Sequence, residues 1–214
     1  IKEDKMPLSK IMPKRNKVKM VYKKSAVTRE RICKAAIALM KEKGYQGASI
    51  RDICKKASVS PGTFYSYFES KLDILKEIYR PGDEFFRTSV VKELEGKDFF
   101  QQLRVFFSSY ARLNVDTGLD VMRVLFNPEN EWFTQPSSMQ GVLAGIIRHG
   151  IDSSILSEDT DIGQMVDNVF TVLRGVCYAW CIYNASFDLE KRMLEHLDYM
   201  LDGMFKFKEK PNLQ

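Results

Sequence analysis

The side chains best placed to do chemistry lie between Ser49 and Lys71, in the stretch SIRDICKKASVSPGTFYSYFESK. Thr63, Ser66 and Tyr67 fall on one side of a short helical segment whose other side, Phe64 and Phe68, is apolar at helical spacing. An outward face of hydroxyls and aromatic rings, without the Lys and Glu of a merely solvated helix, suits a DNA major groove. There Thr and Ser reach base edges and thymine methyls, and Tyr reaches phosphates. Gly62, having no side chain, lets the backbone approach a phosphate or base edge. The chemistry is recognition rather than bond making.

The elements that must present these groups can be read from caps and spacing. Ser49 is a favoured N-cap, and Asp52 in the first turn meets exposed N–H groups and the positive end of the helix dipole. Ile50, Ile53, Cys54 and Ala57 then mark one buried face. Ser58-Val59-Ser60 breaks that pattern, with Val59 plugging the corner, Ser60 capping the next helix and Pro61 at its first position. A preceding helix is expected from Ala26 or Thr28 to Lys43, with Ile32, Ala35, Ala36, Leu39 and Met40 inward and Gly44 as its stop. A fourth, capped by Ser70, carries Leu72, Leu75, Ile78 and Tyr79 and is expected to break at Pro81-Gly82. Lys71 in its first turn opposes the dipole, a cost that a DNA phosphate would offset.

Taken together, KAAIALMKEKGYQGASIRDICKKASVSPGTFYSYFESKLDIL resembles the N-terminal DNA-binding domain of the TetR family of transcriptional regulators. The match rests on Ala35-Ala36, Gly44-Tyr45, the opening at Ser49, the Val59-Ser60 turn, Phe64-Tyr65, Phe68 and Ser70-Lys71. It covers about residues 28 to 78 and departs at Ser58, where the family often has Gly. The resemblance implies a phosphate-contacting Lys71, a dimeric helical body and an apolar effector cavity in that body.

For the body, helices are expected at about residues 83–95, 98–115, 118–126, 136–151, 161–184 and 188–207. The fold class is therefore all-α: a three-helix helix-turn-helix head followed by a helical ligand-binding and dimerisation body. Residues 1–25 are expected to be a basic flexible arm, 26–80 the DNA-binding domain with its linking helix, and 81–214 the effector and dimer domain. The helix around 161–184 is apolar over so wide an arc that it must be covered on both sides. With the last helix it forms the candidate dimer bundle, through Val169, Val172, Gly175, Val176, Trp180, Met193, Leu197, Met200 and Leu201. Candidate effector residues are Phe86, Arg104, Phe107, Tyr110, Met122, Phe126, Trp132, Met139, Asn168, Arg174 and Cys177, a mixture of soft apolar groups and a few polar ones.

Charge supports a nucleic-acid partner. Residues 1–80 hold 20 Lys+Arg against 8 Asp+Glu, and residues 81–214 hold 13 against 20, within a total of +5. A basic head on an acidic body is what phosphate binding by the head alone requires. Enzyme signatures are missing: there is no GxSxG, HExxH, P-loop or GxGxxG after a strand. Cys177 and Cys181 sit four apart, but with two histidines, His149 and His196, and no CxxC they read as packing, so neither metal nor cofactor is expected. No apolar run is expected to span a membrane, and the protein is expected to be cytoplasmic.

The expected function is a homodimeric repressor that binds a double-stranded DNA operator and is released by a small-molecule effector of unknown identity. Thr63, Ser66 and Gly62 are expected to read bases. Thr28, Ser49, Ser60, Pro61, Tyr65, Tyr67 and Lys71 are expected to hold or flank the backbone contacts. The alternative is a ligand-independent DNA-binding adaptor whose body takes a protein partner.

Overall fold

The computed structural model describes residues 15–127 and 137–208, with side chains from residue 25 onward. Among these the chain is a succession of helices, and its one extended pairing is an antiparallel bridge between Leu156 and Phe207. Helix α1 (Arg15–Gly47) is interrupted at Gly44, whose φ of 74° and ψ of 168° leave the helical region. The regular helix thus stops where the sequence places the stop, because glycine tolerates positive φ best. Its start differs. It begins at Arg15, inside the stretch expected to be an arm, where Lys and Arg are good helix formers.

Helix α2 (Ile50–Lys56) opens on Ser49, whose Oγ accepts the Asp52 N–H at 3.1 Å and donates to the Asp52 carboxylate at 2.8 Å. Ile53, Cys54 and Ala57 are buried, and Ser58 turns the corner in the left-handed region at φ 51°. Helix α3 (Pro61–Tyr65) is shorter than the sequence suggested, but the Phe68 N–H still reaches the Phe64 carbonyl at 3.0 Å. That winding is what brings both rings, Phe64 and Phe68, into the core.

Helix α4 (Lys71–Phe85) starts from a reciprocal cap between Ser70 and Asp73. The expected break at Pro81-Gly82 does not occur. Pro81 is exposed and lies within the helix, while Gly82 is buried against Leu113, and a Cβ at Gly82 would stand 2.6 Å from a Leu113 methyl. The glycine is there for close approach, not for a turn. A π-helical turn, Phe86–Val90, follows directly and leads into α5 (Val91–Leu94), so the expected separate helix at 83–95 is a continuation of α4. The wider turn seats Phe86 and Val90 in the core.

The body adds α6 (Phe99–Thr117), α7 (Leu119–Leu125), α8 (Ser138–Asp152), α9 (Ile162–Ile182) and α10 (Leu189–Gly203), close to the expected spans. Helix α6 packs along α10, and α9 packs on α8, α10 and α7. By length and composition α9 could cross a membrane, contrary to the expectation that no run would. In the fold it is instead the core helix of the body, with Val169, Phe170, Leu173 and Cys177 buried.

Head and body meet at more than the continuous helix. Besides α4, α1 packs on α7, with Lys41 and Asp120 paired at 2.7 Å. Helix α4 is in turn tied to α8: the Asp83 carboxylate accepts the Ser138 N–H and hydroxyl, both at 2.8 Å.

Candidate nucleic-acid interface and junction cavity

The edge of the head that α3 presents consists of Pro61, Gly62, Tyr65 and Ser66, all exposed. A Cβ on Gly62 would meet only the Ser60 hydroxyl, at 3.9 Å, so the fold does not require glycine there. What glycine provides is a bare stretch of backbone facing outward. The hydroxyls around it are partly committed. Ser60 Oγ accepts the Thr63 N–H at 3.0 Å and lies 2.9 Å from Thr63 Oγ1, and Ser66 Oγ donates to the Thr63 carbonyl at 2.6 Å. Tyr65 stands edge-on to the buried Phe64 ring, 5.4 Å between centroids, with 57% of its surface exposed. That fixes the ring's base and leaves its hydroxyl end outside.

Lys71 has a role inside the head besides any contact with phosphate. Its ammonium donates to the Tyr45 carbonyl at 2.5 Å and the Gln46 carbonyl at 3.5 Å, and it sits 4.5 Å from the centroid of the Tyr45 ring. A cation on carbonyls just past the Gly44 interruption of α1 is favourable, and it offsets the unfavourable start of α4 without any phosphate. Ser49 acts as the cap of α2, and Thr28 lies half-buried on α1. Tyr67 is half-buried and faces away from this edge, toward a cavity.

That cavity, about 590 Å³, lies at the junction of head and body rather than inside the body. Arg29, Tyr67 and Phe68 form its head wall, and Tyr110, Met139, Phe170 and Arg174 its body wall. Between them runs the face of α4 that carries Glu77, Tyr79 and Arg80. Of the candidate effector residues, Tyr110, Met139 and Arg174 line it. Phe86, Phe107, Met122 and Cys177 are buried in the core, where large aromatic and sulfur side chains fill volume. Phe126 packs on Tyr178, Asn168 is exposed, and Arg104 pairs with Asp198 at 2.6 Å across α6 and α10. Trp132 lies outside the described residues.

Burial pushes the Tyr79 and Tyr110 hydroxyls well above the ordinary phenol range, so both are neutral hydrogen-bonding groups at the inner wall. Arg174 lies over Phe170, 5.4 Å from the ring centroid. Burial also pushes the Cys177 thiol well up and the Cys181 thiol to about 11, so neither is a thiolate at neutral pH.

The candidate dimer residues fall mostly inside the chain. Val169, Val176, Trp180, Met193, Leu197, Met200 and Leu201 are buried, Val172 is half-buried and Gly175 is exposed. The wide apolar arc of α9 is covered by its own body helices. What remains outside on α9 is a different stripe, Thr171, Gly175, Tyr178 and Ile182, and Tyr183 just beyond it and Tyr199 on α10 are exposed as well. Its spacing along α9, three to four residues throughout, was present in the sequence, but the richer buried face masked it.

A family model described as bacterial regulatory proteins, tetR family, matches residues 32–78. The HTH-type transcriptional regulator YvdT of Bacillus subtilis is 29% identical over 123 residues, 48% of this chain and 61% of that protein. The fatty acid metabolism regulator protein of Bacillus subtilis is 24% identical over 181 residues, 81% of this chain and 93% of that one. The structure of the transcriptional regulator FadR from Bacillus subtilis in complex with stearoyl-CoA aligns with a TM-score of 0.63 at 22% identity, covering 82% of this chain and 98% of that one. At that identity the structural likeness establishes the fold alone. Residues 32–78 thus match the helix-turn-helix head of the tetR-family regulators, and the chain as a whole shares the all-helical fold of the solved regulator.

Proposed function

We propose that the protein is a homodimeric repressor, released from its operator when a small molecule occupies the junction cavity. The observation that carries this is the exposed edge of α3, where Gly62 bares backbone beside Pro61, Tyr65 and Ser66 on the basic part of the chain. Two such edges, one per protomer, would enter successive major grooves on half-sites about 34–36 Å apart, one turn of DNA. Ser66 and the Gly62 backbone meet base edges, and Tyr65 meets phosphate. Lys71, which already holds the Tyr45 carbonyl, supports the backbone contacts from behind. The work takes place where the DNA is, in the cytoplasm.

The dimer seam that fits the exposed surface is the α9 stripe from Thr171 to Ile182, since exposed large apolar side chains grouped on one helix face mark interaction sites. Gly175 at its centre lets a second helix approach closely. The effector reading is supported by an aromatic-lined cavity that touches both head and body, and by a fold neighbour that holds stearoyl-CoA. A ligand there changes the head's position only to the extent that it binds one arrangement better than the other.

The test is selection of an operator from random DNA, followed by fluorescence anisotropy with the selected site. Ser66→Ala is expected to relax base preference at one position per half-site, and Tyr65→Phe to weaken binding to all sequences alike. If both variants bind selected and random DNA as the parent does, α3 is not the reading helix.

A further inference from the structure

The cavity's outer wall holds a charge arrangement that the reading of it as an effector site leaves unused. Arg29 of α1 reaches Glu77 Oε2 at 3.1 Å, and Arg80 Nε reaches the same oxygen at 3.4 Å. Two guanidiniums from different helices thus converge on one carboxylate at the edge of the cavity. Arg29 is further held over the Phe68 ring, 5.3 Å from its centroid, so its approach angle is set by the head. The Arg29 and Arg80 side chains are 44% and 66% exposed and that of Glu77 21%. Ion pairs this open to water add little net stability, so Glu77 can be replaced by another anion at small cost. Guanidinium forks match carboxylate and phosphate oxygens in geometry. The same cavity is lined by the apolar Phe170 and Met139 and the ring of Tyr110, with Arg174, Lys76 and the carboxylates of Glu69, Asp73 and Asp83 also on its wall.

We propose that the cavity takes an amphipathic anion, an apolar chain bearing a phosphate or carboxylate, whose head group displaces Glu77 from Arg29 and Arg80. The chain lies against Phe170 and Met139. Glu77 stands in for the ligand's own charge until the ligand displaces it, and its contact with Arg29 ties α1 to α4. Displacement removes that tie and moves Arg29 onto the ligand, so binding is read directly at the root of the head. The inference rests on the cavity being the effector site.

Titration calorimetry of the full chain with dodecyl phosphate, dodecanoate and dodecanol, each below its aggregation limit, tests it. Both anions are expected to bind, and dodecanol about tenfold or more weaker, the scale of a charge-assisted hydrogen bond to a guanidinium. Comparing the two anions shows which head group the site prefers. Glu77→Gln is expected to tighten both anions about threefold to tenfold, the scale of one partly exposed charge interaction, and to leave dodecanol unchanged. Arg29→Gln is expected to weaken the anions and not the alcohol. Thermal melts of both variants confirm that they fold. Equal affinity for the anions and the alcohol, or no tightening by Glu77→Gln, overturns the displacement while leaving the effector site in place. Failure of all three probes to bind a chain that still binds its operator overturns the effector site itself.

Discussion

Ser58 is the residue where side-chain type and backbone conflict most openly in the head. Its φ of 51° is in the left-handed region, which disfavours an L-residue by about 1–2 kcal/mol. Glycine would remove that cost and add about 0.5–1 kcal/mol of unfolded-chain entropy. Ser58→Gly is therefore expected to stabilise the protein by about 0.5–1 kcal/mol in denaturant unfolding, and a loss of stability would show that the Ser58 side chain contributes something to the turn. Lys71 is the second residue whose role turns on detail. Because its ammonium already holds the Tyr45 carbonyl, Lys71→Ala is expected to cost the fold about 1 kcal/mol as well as to weaken binding to every DNA sequence. An unchanged unfolding midpoint with weakened binding would mean that the lysine serves only phosphate.

At the scale of elements, glycines divide the helices into those pressed together and those left open. A Cβ at Gly150 of α8 would stand 2.7 Å from the buried Phe99 ring and 3.0 Å from Leu156. Gly150→Ala, which improves helix propensity, is nevertheless expected to destabilise by about 1–3 kcal/mol through overpacking. Gly175 of α9 has nothing within 4 Å of such an atom in its own chain, so Gly175→Ala is expected to stabilise the protomer by about 0.5–1 kcal/mol when it is measured at concentrations low enough to keep the chain monomeric. Urea melts of the two variants, run side by side, check both signs. The same contrast explains what the sequence could reveal. Caps and periodicity located α2, α3, the start of α4 and the body helices α6 to α10, because Ser49, Ser60 and Ser70 each bond the N–H three residues on and the apolar spacing is regular, whereas α1 begins earlier than expected and the expected helix at 83–95 continues α4. Pro81-Gly82 misled, since a glycine kept small for Leu113 is indistinguishable in one sequence from a glycine needed for a turn. The cavity was legible only in part. Tyr110, Met139 and Arg174 were within reach of composition, whereas Arg29, Glu77 and Phe68 come together only once α1 has folded across α4.

On the whole-molecule scale, the protein is a basic head joined by α4 and by the α1–α7 contact to an acidic body, with an apolar stripe left on the outside of α9. Tyr178 and Ile182 are 52% and 56% exposed, and Tyr199 on α10 is 69% exposed, so charging this surface should leave the protomer's own core intact. Two heads linked through such a seam bind as one unit, and linkage of that kind commonly strengthens binding by about a hundredfold to ten-thousandfold over a single head. The double variant Tyr178→Glu with Ile182→Glu places like charges across a two-fold seam and desolvates them if the seam closes. Sedimentation velocity at micromolar concentration is expected to give a monomer, with unchanged helical content by circular dichroism. Operator affinity is expected to fall about a hundredfold or more toward that for random DNA. A variant that remains dimeric places the seam on another face. A monomer that binds the operator as tightly as the parent means that one head suffices, and the coupling between cavity and DNA must then run within a single chain, through Arg29 and α4 rather than through the distance between two heads.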